Sequence, residues 1–234
     1  MTGAEIIARL RGRLIVSCQA PPSSPLHDPY VIARMARAAE QGGAAAVRID
    51  SPDHIRAVRA MCTGPVIGLH KEVHAGSAVY ITPTRASAWG VVDAGAHIVA
   101  VDATGRPRPD GEMLEDVIDV LHDLQAPILA DVATLEEGLA ALDLGVDMLA
   151  TTLAGYTSDA PAGRGPDLVL VAELARRAHV PVVCEGRIRT PADVRRAFEA
   201  GAFAVCAGGA ITGIDALVRE YVQAASHDET MPHA

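Results

Sequence analysis

VPVVCEGRIRTPADVRRAFEAGAFAVCAGG, residues 180–209, holds the repeating unit of the whole chain. The proline-led apolar run PVVCEG is too short for a helix with its own caps, and it ends on the polar pair Glu185 and Gly186. TPADVRRAFEA follows with apolar residues at helical spacing. Thr190 reads as its N-cap, Pro191 takes the first helical position, and Asp193 stands three residues after the cap. EAGAFAVCA then turns, through a glycine at the helix C-terminus, into a second apolar run, FAVCAGG.

Working outward, the same strand–helix alternation fills the chain. LIVSCQ, AAVRID, PVIGLHK, HIVAVDA, PILADV and DMLATTL precede those two runs, separated by segments with helical spacing such as PDHIRAVRAM. The leads repeat too. Glycine-bearing EQGGAAAVR, DAGAHIVAV, DLGVDMLAT and EAGAFAVCA enter the even strands, whereas GPVIG, APILA and VPVVC enter the odd strands after the first, their proline blocking further helix. Four doubled units fit a closed ring better than an open sheet. Near-continuous apolar strands alternating with helices imply a parallel sheet buried on both faces, and eight units in about 220 residues match the size of a (β/α)8 TIM barrel. A doubly wound sheet would need a GxGxxG turn after an early strand, and SCQAPPSS has none. The chain is therefore read as α/β, a single (β/α)8 TIM barrel over residues 1–225, with a polar tail, SHDETMPHA, over 226–234.

Composition narrows the partners. A net charge of −9 with scattered basic residues argues against a nucleic-acid surface. Cys18, Cys62, Cys184 and Cys206 lie far apart with no CxxC pair, which reads as buried thiols in a reducing compartment rather than disulfides or zinc ligands. Arginines interrupt the apolar residues of MTGAEIIARLRGRLIVSCQA, so neither a signal peptide nor a membrane span is expected, and the expected setting is cytoplasmic.

In such a barrel the chemistry sits at the C-terminal ends of the strands. Those positions are Gln19, Arg48, Lys71, Asp102, Asp131, Thr152, Glu185 and Gly208. A lone polar strand tip is ordinarily just solvated, but closure of the ring points the whole set at one pocket. Lys71 is the sole lysine, against nineteen arginines. GC-rich codon usage accounts for scarce lysine and not for the exception; an ammonium, unlike a guanidinium, can lose its proton, so Lys71 is the expected base. Glu185 reads as a partly buried acid/base with a raised pKa, as a partner for Arg48 or Arg187, or as both. Gly186, Gly208 and Gly209 let backbone N–H groups approach an anion, the usual place for a phosphate in this fold. Two loops are long: DATGRPRPDGE carries Arg106 and Arg108, each read as a surface residue, and AGYTSDAPAGRGPD reads as a closing lid.

From about residue 14 to 222 the chain resembles the N-acetylmannosamine-6-phosphate 2-epimerases of bacterial sialic-acid catabolism. The resemblance rests on LIVSCQA, the arginine of VRID, IGLHK, YITPT, VDATGRPRPDG, LADVATLEEGLAA, TTLAGYT, CEGRIRTPADVRRAFEAGAFAV and GGAIT. It implies an isomerase without metal or organic cofactor that interconverts the 6-phosphates of N-acetylmannosamine and N-acetylglucosamine. It further implies that Lys71 abstracts the proton, that Glu185 is catalytic, that Arg48 and Asp131 form a hydrogen-bonded group with Glu185, and that Gln19 contacts the sugar. Thr152 and Tyr156 of TTLAGYT join the substrate-binding set, and Arg187 joins Gly186, Gly208 and Gly209 around the phosphate. The implied partner is a small amino-sugar phosphate, with no nucleic acid and no membrane; a homodimer is compatible with this reading. Relatives often have a basic residue after the lysine and an arginine after AIT, where this chain has Glu72 and Gly213, and His70 is less usual. Three rivals stand beside this reading. They are a Schiff-base aldolase using Lys71, a metal-dependent pentose-phosphate epimerase using His70, Asp102 and Asp131, and a non-catalytic barrel that binds a sugar phosphate.

Overall fold

Eight short strands close on one another in the computed structural model, which describes residues 1–157, 163 and 165–225. They are β1 (Leu14–Ser17), β2 (Ala46–Asp50), β3 (Val66–Leu69), β4 (Ile98–Asp102), β5 (Ile128–Asp131), β6 (Met148–Ala150), β7 (Val182–Glu185) and β8 (Ala204–Ala207). All neighbours are parallel and in chain order, and β1 returns to β8 with Ile15 opposite Cys206 and Val16 opposite Ala207. This is the (β/α)8 barrel expected from the alternating leads. The expected tail at 226–234 and part of the expected lid, 158–162 and 164, lie outside the described residues.

Side chains alternate across each strand, so every second residue faces the axis. Ile15, Ala46, Ile67, Ile98, Leu129, Met148, Val183 and Ala204 share the interior cluster. Two residues further along some of the same strands stand Arg48, Asp131 and Glu185, polar and near the C-terminal edge. The opposite face packs on the helices α2 (Pro29–Gln41), α3 (Pro52–Met61), α4 (Arg85–Asp93), α5 (Leu114–Asp123), α6 (Leu135–Asp143), α7 (Leu168–Arg177) and α8 (Pro191–Glu199).

The helix starts follow from their caps. The Thr190 side chain accepts from the Asp193 amide while the Asp193 carboxylate accepts from the Thr190 amide, as the spacing predicts, and Thr134 pairs with Glu137 in the same way. Gly201, at φ 99°, supplies the left-handed residue between α8 and β8 that a β-carbon would strain.

A helix that the sequence reading left unassigned, α1 (Gly3–Ala8), lies at the N-terminal end of the barrel. Ile6 and, just beyond the helix, Leu10 are buried with Ile15, Ala46, Ile98 and Met148, so α1 stoppers the barrel floor. At the other end, β8 leads into the single turn α9 (Gly209–Thr212) and then α10 (Ile214–Ala225), which has no buried residue.

Candidate active site

β2 delivers Arg48 to the middle of the barrel mouth, where the guanidinium is almost wholly buried. Its Nη2 donates to Asp131 Oδ2 at 2.5 Å, and Nη1 donates to Asp131 Oδ1 at 3.0 Å and to Glu185 Oε2 at 2.5 Å. Thr152 completes the group, accepting from Arg48 Nη1 at 3.2 Å and donating its hydroxyl to Asp131 Oδ1 at 2.5 Å. Burial alone would favour a neutral guanidine, but the two carboxylates beside it hold Arg48 firmly cationic. Burial pushes the Glu185 carboxyl above the ordinary range, opposed by Arg48 and reinforced by Asp131. Asp131 lies behind Arg48, fully buried, while Glu185 and Thr152 border the cavity.

Lys71 follows β3 and is fixed through its backbone. Its amide donates to Asp50 Oδ1 at 2.8 Å, and it forms an antiparallel bridge with Ile81. This short return of residues 80–82 against 70–72 is tightened by the Thr82 amide on the His70 carbonyl at 2.7 Å. The Lys71 side chain then enters the mouth, where Nζ donates to Gln19 Oε1 at 2.6 Å, and Gln19 Nε2 donates to Ser17 Oγ at 3.0 Å. The lysine is solvent-exposed and lines the cavity at its mouth. The surrounding protein lowers its pKa from the ordinary 10.5, with Arg48 acting in the same direction against the pull of Asp50, Glu185 and Asp131. A neutral amine is thus more accessible here than on a surface lysine.

These groups open onto a cavity of about 800 Å³, room for a phosphorylated hexosamine. Gln19, Arg48, Lys71, Thr152, Tyr156, Glu185, Gly186, Arg187, Gly208 and Gly209 all line it. Asp102 does not: it is fully buried, bound to the Thr104 hydroxyl at 2.7 Å and to Arg106 Nη2 at 2.6 Å. Convergence of all eight strand ends on one pocket is therefore corrected at Asp102 and Asp131, which sit beneath its surface. Arg108 departs from its expected surface position as well. It is buried, donating to the carbonyls of Thr82, Pro83 and Asp102, and so staples the loop after β4 to the 80–82 return. Arg187, at φ 54°, spends donors on the carbonyls of Ala154 and of Gly165 (2.7 Å) and stacks on Tyr156, with 5.5 Å to the ring centroid.

Sequence reasoning missed several lining residues: Ser17, Tyr80, Ile81, Ile188, Cys206, Thr212 and, on α10, Leu217 and Tyr221. Tyr80 and Ile81 belong to YITPT, whose position in the motif was visible while its return against Lys71 was not. Among the described residues no three His, Cys, Asp or Glu side chains are placed to share a metal ion. In particular Asp102 and Asp131 are engaged by Arg106 and Arg48.

Comparison with known proteins places the chain in a family. A family model described as "NanE: Putative N-acetylmannosamine-6-phosphate epimerase" matches residues 32–227. The chain belongs to this family. A protein of Synechococcus elongatus named "Putative N-acetylmannosamine-6-phosphate 2-epimerase" is 47% identical over 221 residues, covering 93% of this chain and 95% of its own length. A namesake from Caldanaerobacter subterraneus is 44% identical over 220 residues, with 93% of each chain covered. Among solved structures, the N-acetylmannosamine-6-phosphate 2-epimerase from Clostridium perfringens superposes with a TM-score of 0.91 at 38% identity, over 94% of this chain and 96% of that one. A thiamine phosphate pyrophosphorylase from Pyrococcus furiosus, at 17% identity and a TM-score of 0.60, shares the fold alone.

Two departures within this member of the epimerase family acquire a physical setting. Glu72 does not border the cavity; its Oε2 lies 3.9 Å from His70 Nδ1, so the carboxylate faces the neighbouring histidine. Gly213 does border it, and a β-carbon there would stand 2.7 Å from the Gly209 carbonyl oxygen. The α9–α10 turn as built requires glycine, and an arginine at this place requires a different turn.

Proposed function

We propose that this chain interconverts N-acetylmannosamine 6-phosphate and N-acetylglucosamine 6-phosphate by removing and returning the proton on carbon 2. One observation carries the reading: Lys71 Nζ is held in the cavity by Gln19, with its pKa lowered, in the same mouth as a glutamate fixed by a buried arginine. In this reading Glu185, as carboxylate, takes the proton from the anomeric hydroxyl and returns it to the ring oxygen, giving the open aldehyde. Only the aldehyde acidifies the proton on carbon 2. Neutral Lys71 then removes that proton, and donors around the carbonyl oxygen hold the enolate charge, which is usually the largest electrostatic contribution to such a step. Return of a proton to the opposite face gives the epimer.

Gln19, Thr152 and Tyr156 are assigned to the sugar, and Asp131 acts on it through Arg48, which it orients. The backbone around Gly186, Gly208 and Gly209 is assigned to the phosphate; Arg187, already engaged with two carbonyls, supports that wall and the Tyr156 ring. The four free, buried thiols fit a cytoplasmic setting; among the described residues no helix is long and apolar enough to cross a membrane. A homodimer is part of the proposal, because α10 leaves Ile214 and Val218 exposed.

The deciding experiment incubates the enzyme with N-acetylmannosamine 6-phosphate in deuterated water and follows carbon 2 by NMR. Deuterium entering as the epimer appears, and lost in Lys71→Ala and Glu185→Gln, is the expected result. Carbon–carbon cleavage, or an adduct trapped on Lys71 by borohydride, would replace the epimerase with a Schiff-base aldolase.

A further inference from the structure

The epimerase reading uses Glu185 and leaves unexplained the residue facing it from the next strand. In the parallel register of β7 and β8, Glu185 stands directly opposite Cys206. Both side chains turn toward the axis: Cys206 belongs to the interior cluster, and both residues border the cavity. Inward neighbours on adjacent strands are about 5 Å apart at the backbone, so a thiol reaches the facing carboxylate without moving either strand. We infer that Cys206 is a positioning residue whose S–H group donates to the Glu185 carboxylate and, with Arg48, fixes the orientation of that carboxylate.

Several observations support a donor role. Cys206 is almost wholly buried, and burial first, then the charge of Glu185, pushes its thiol far above the ordinary 9.0, so it stays protonated and donates rather than accepts. Glu185 is faced by Arg48 from β2, by Asp131 from β5 and by Cys206 from β8, while Lys71 beyond β3 adds a further cation. Arg48 Nη1 already binds Glu185 Oε2. A valine in place of Cys206 would occupy comparable interior space and offer the carboxylate nothing, removing one of the groups that oppose its desolvation. The thiol is thereby a small neutral donor in a place where a fourth full charge would upset the balance between one guanidinium and two carboxylates.

This inference rests on the epimerase reading, and its test separates the two. The S–H stretching band of Cys206, isolated as the infrared difference between wild type and Cys206→Val, reports the contact without any turnover. It is expected at the low frequency of a thiol bound to a carboxylate and to move upward in Glu185→Gln. In turnover, Cys206→Val is expected to raise the low-pH inflection of kcat by about one pH unit, since removing a donor to the ionised form raises a carboxyl pKa. Cys206→Ser, whose hydroxyl also donates, is expected to restore it. A Cys206 band indifferent to Glu185→Gln, or a Cys206→Val profile superimposable on wild type, overturns the positioning role. Absence of epimerisation by the wild type overturns the functional reading instead, and the infrared band still decides the contact.

Discussion

Arg48 binds two carboxylates at once in the barrel mouth, and its replacement tests how tightly site and stability are coupled. Arg48→Met leaves Asp131 buried with an unpaired charge and is expected to destabilise the fold by about 3–5 kcal/mol, read from the urea midpoint. Arg48→Lys is expected to recover little, because an ammonium cannot bridge both Asp131 oxygens and Glu185 in the planar geometry seen here. Lys71→Ala is expected to lower kcat by about 10²–10⁴-fold while leaving that midpoint near wild type. In the proposed mechanism the active form of Lys71 is the amine, and its folded pKa lies below 10.5. Turnover should therefore rise with pH as the ammonium deprotonates and level off before 10.5; a plateau reached only above it would remove Lys71 as the base. Lys71 and Glu185 were legible in sequence because each ends an apolar run. Cys206 was not, since a cysteine within such a run reads as core, and its neighbour is set by strand register. Asp131 was legible as a strand end, but its place behind Arg48 depends on how far a side chain from β2 crosses the barrel.

At the scale of elements, helix beginnings were the clearest signal. The Thr190 box lies within four consecutive residues, so no long-range contact is needed to read it, and Thr190→Ala is expected to cost about 1 kcal/mol in a denaturant titration. Gly68 carries a tertiary demand instead. A β-carbon there would come within 2.6 Å of Ala96 Cβ and 2.8 Å of Ile55 Cδ1 and Val91 Cγ1, where β3 meets α3 and α4. Gly68→Ala is expected to destabilise by about 1–3 kcal/mol, with a matching fall in the urea midpoint. The α1 helix escaped the sequence reading because it is shorter than two turns and is followed at once by Arg9 and Arg11. The 80–82 return escaped because its pairing with 70–72 is antiparallel in a chain whose strands are otherwise parallel.

For the whole molecule, barrel closure was legible from repetition alone, since glycine leads into even strands and proline leads into odd ones leave one architecture that uses both. Assembly was not, because a surface helix is written in the same amphipathic code whether it covers its own core or a neighbour. Ile214 and Val218 lie one turn apart on α10, both exposed. Sedimentation velocity is expected to find the mass of two chains for wild type and of one for Ile214→Asp/Val218→Asp; an unchanged mass would put the contact elsewhere. The stopper formed by Ile6 and Leu10 makes the enzyme a one-door chamber. Reactant and epimer must share a single passage, so neither can queue behind the other, and each should act as a purely competitive inhibitor of the other's conversion.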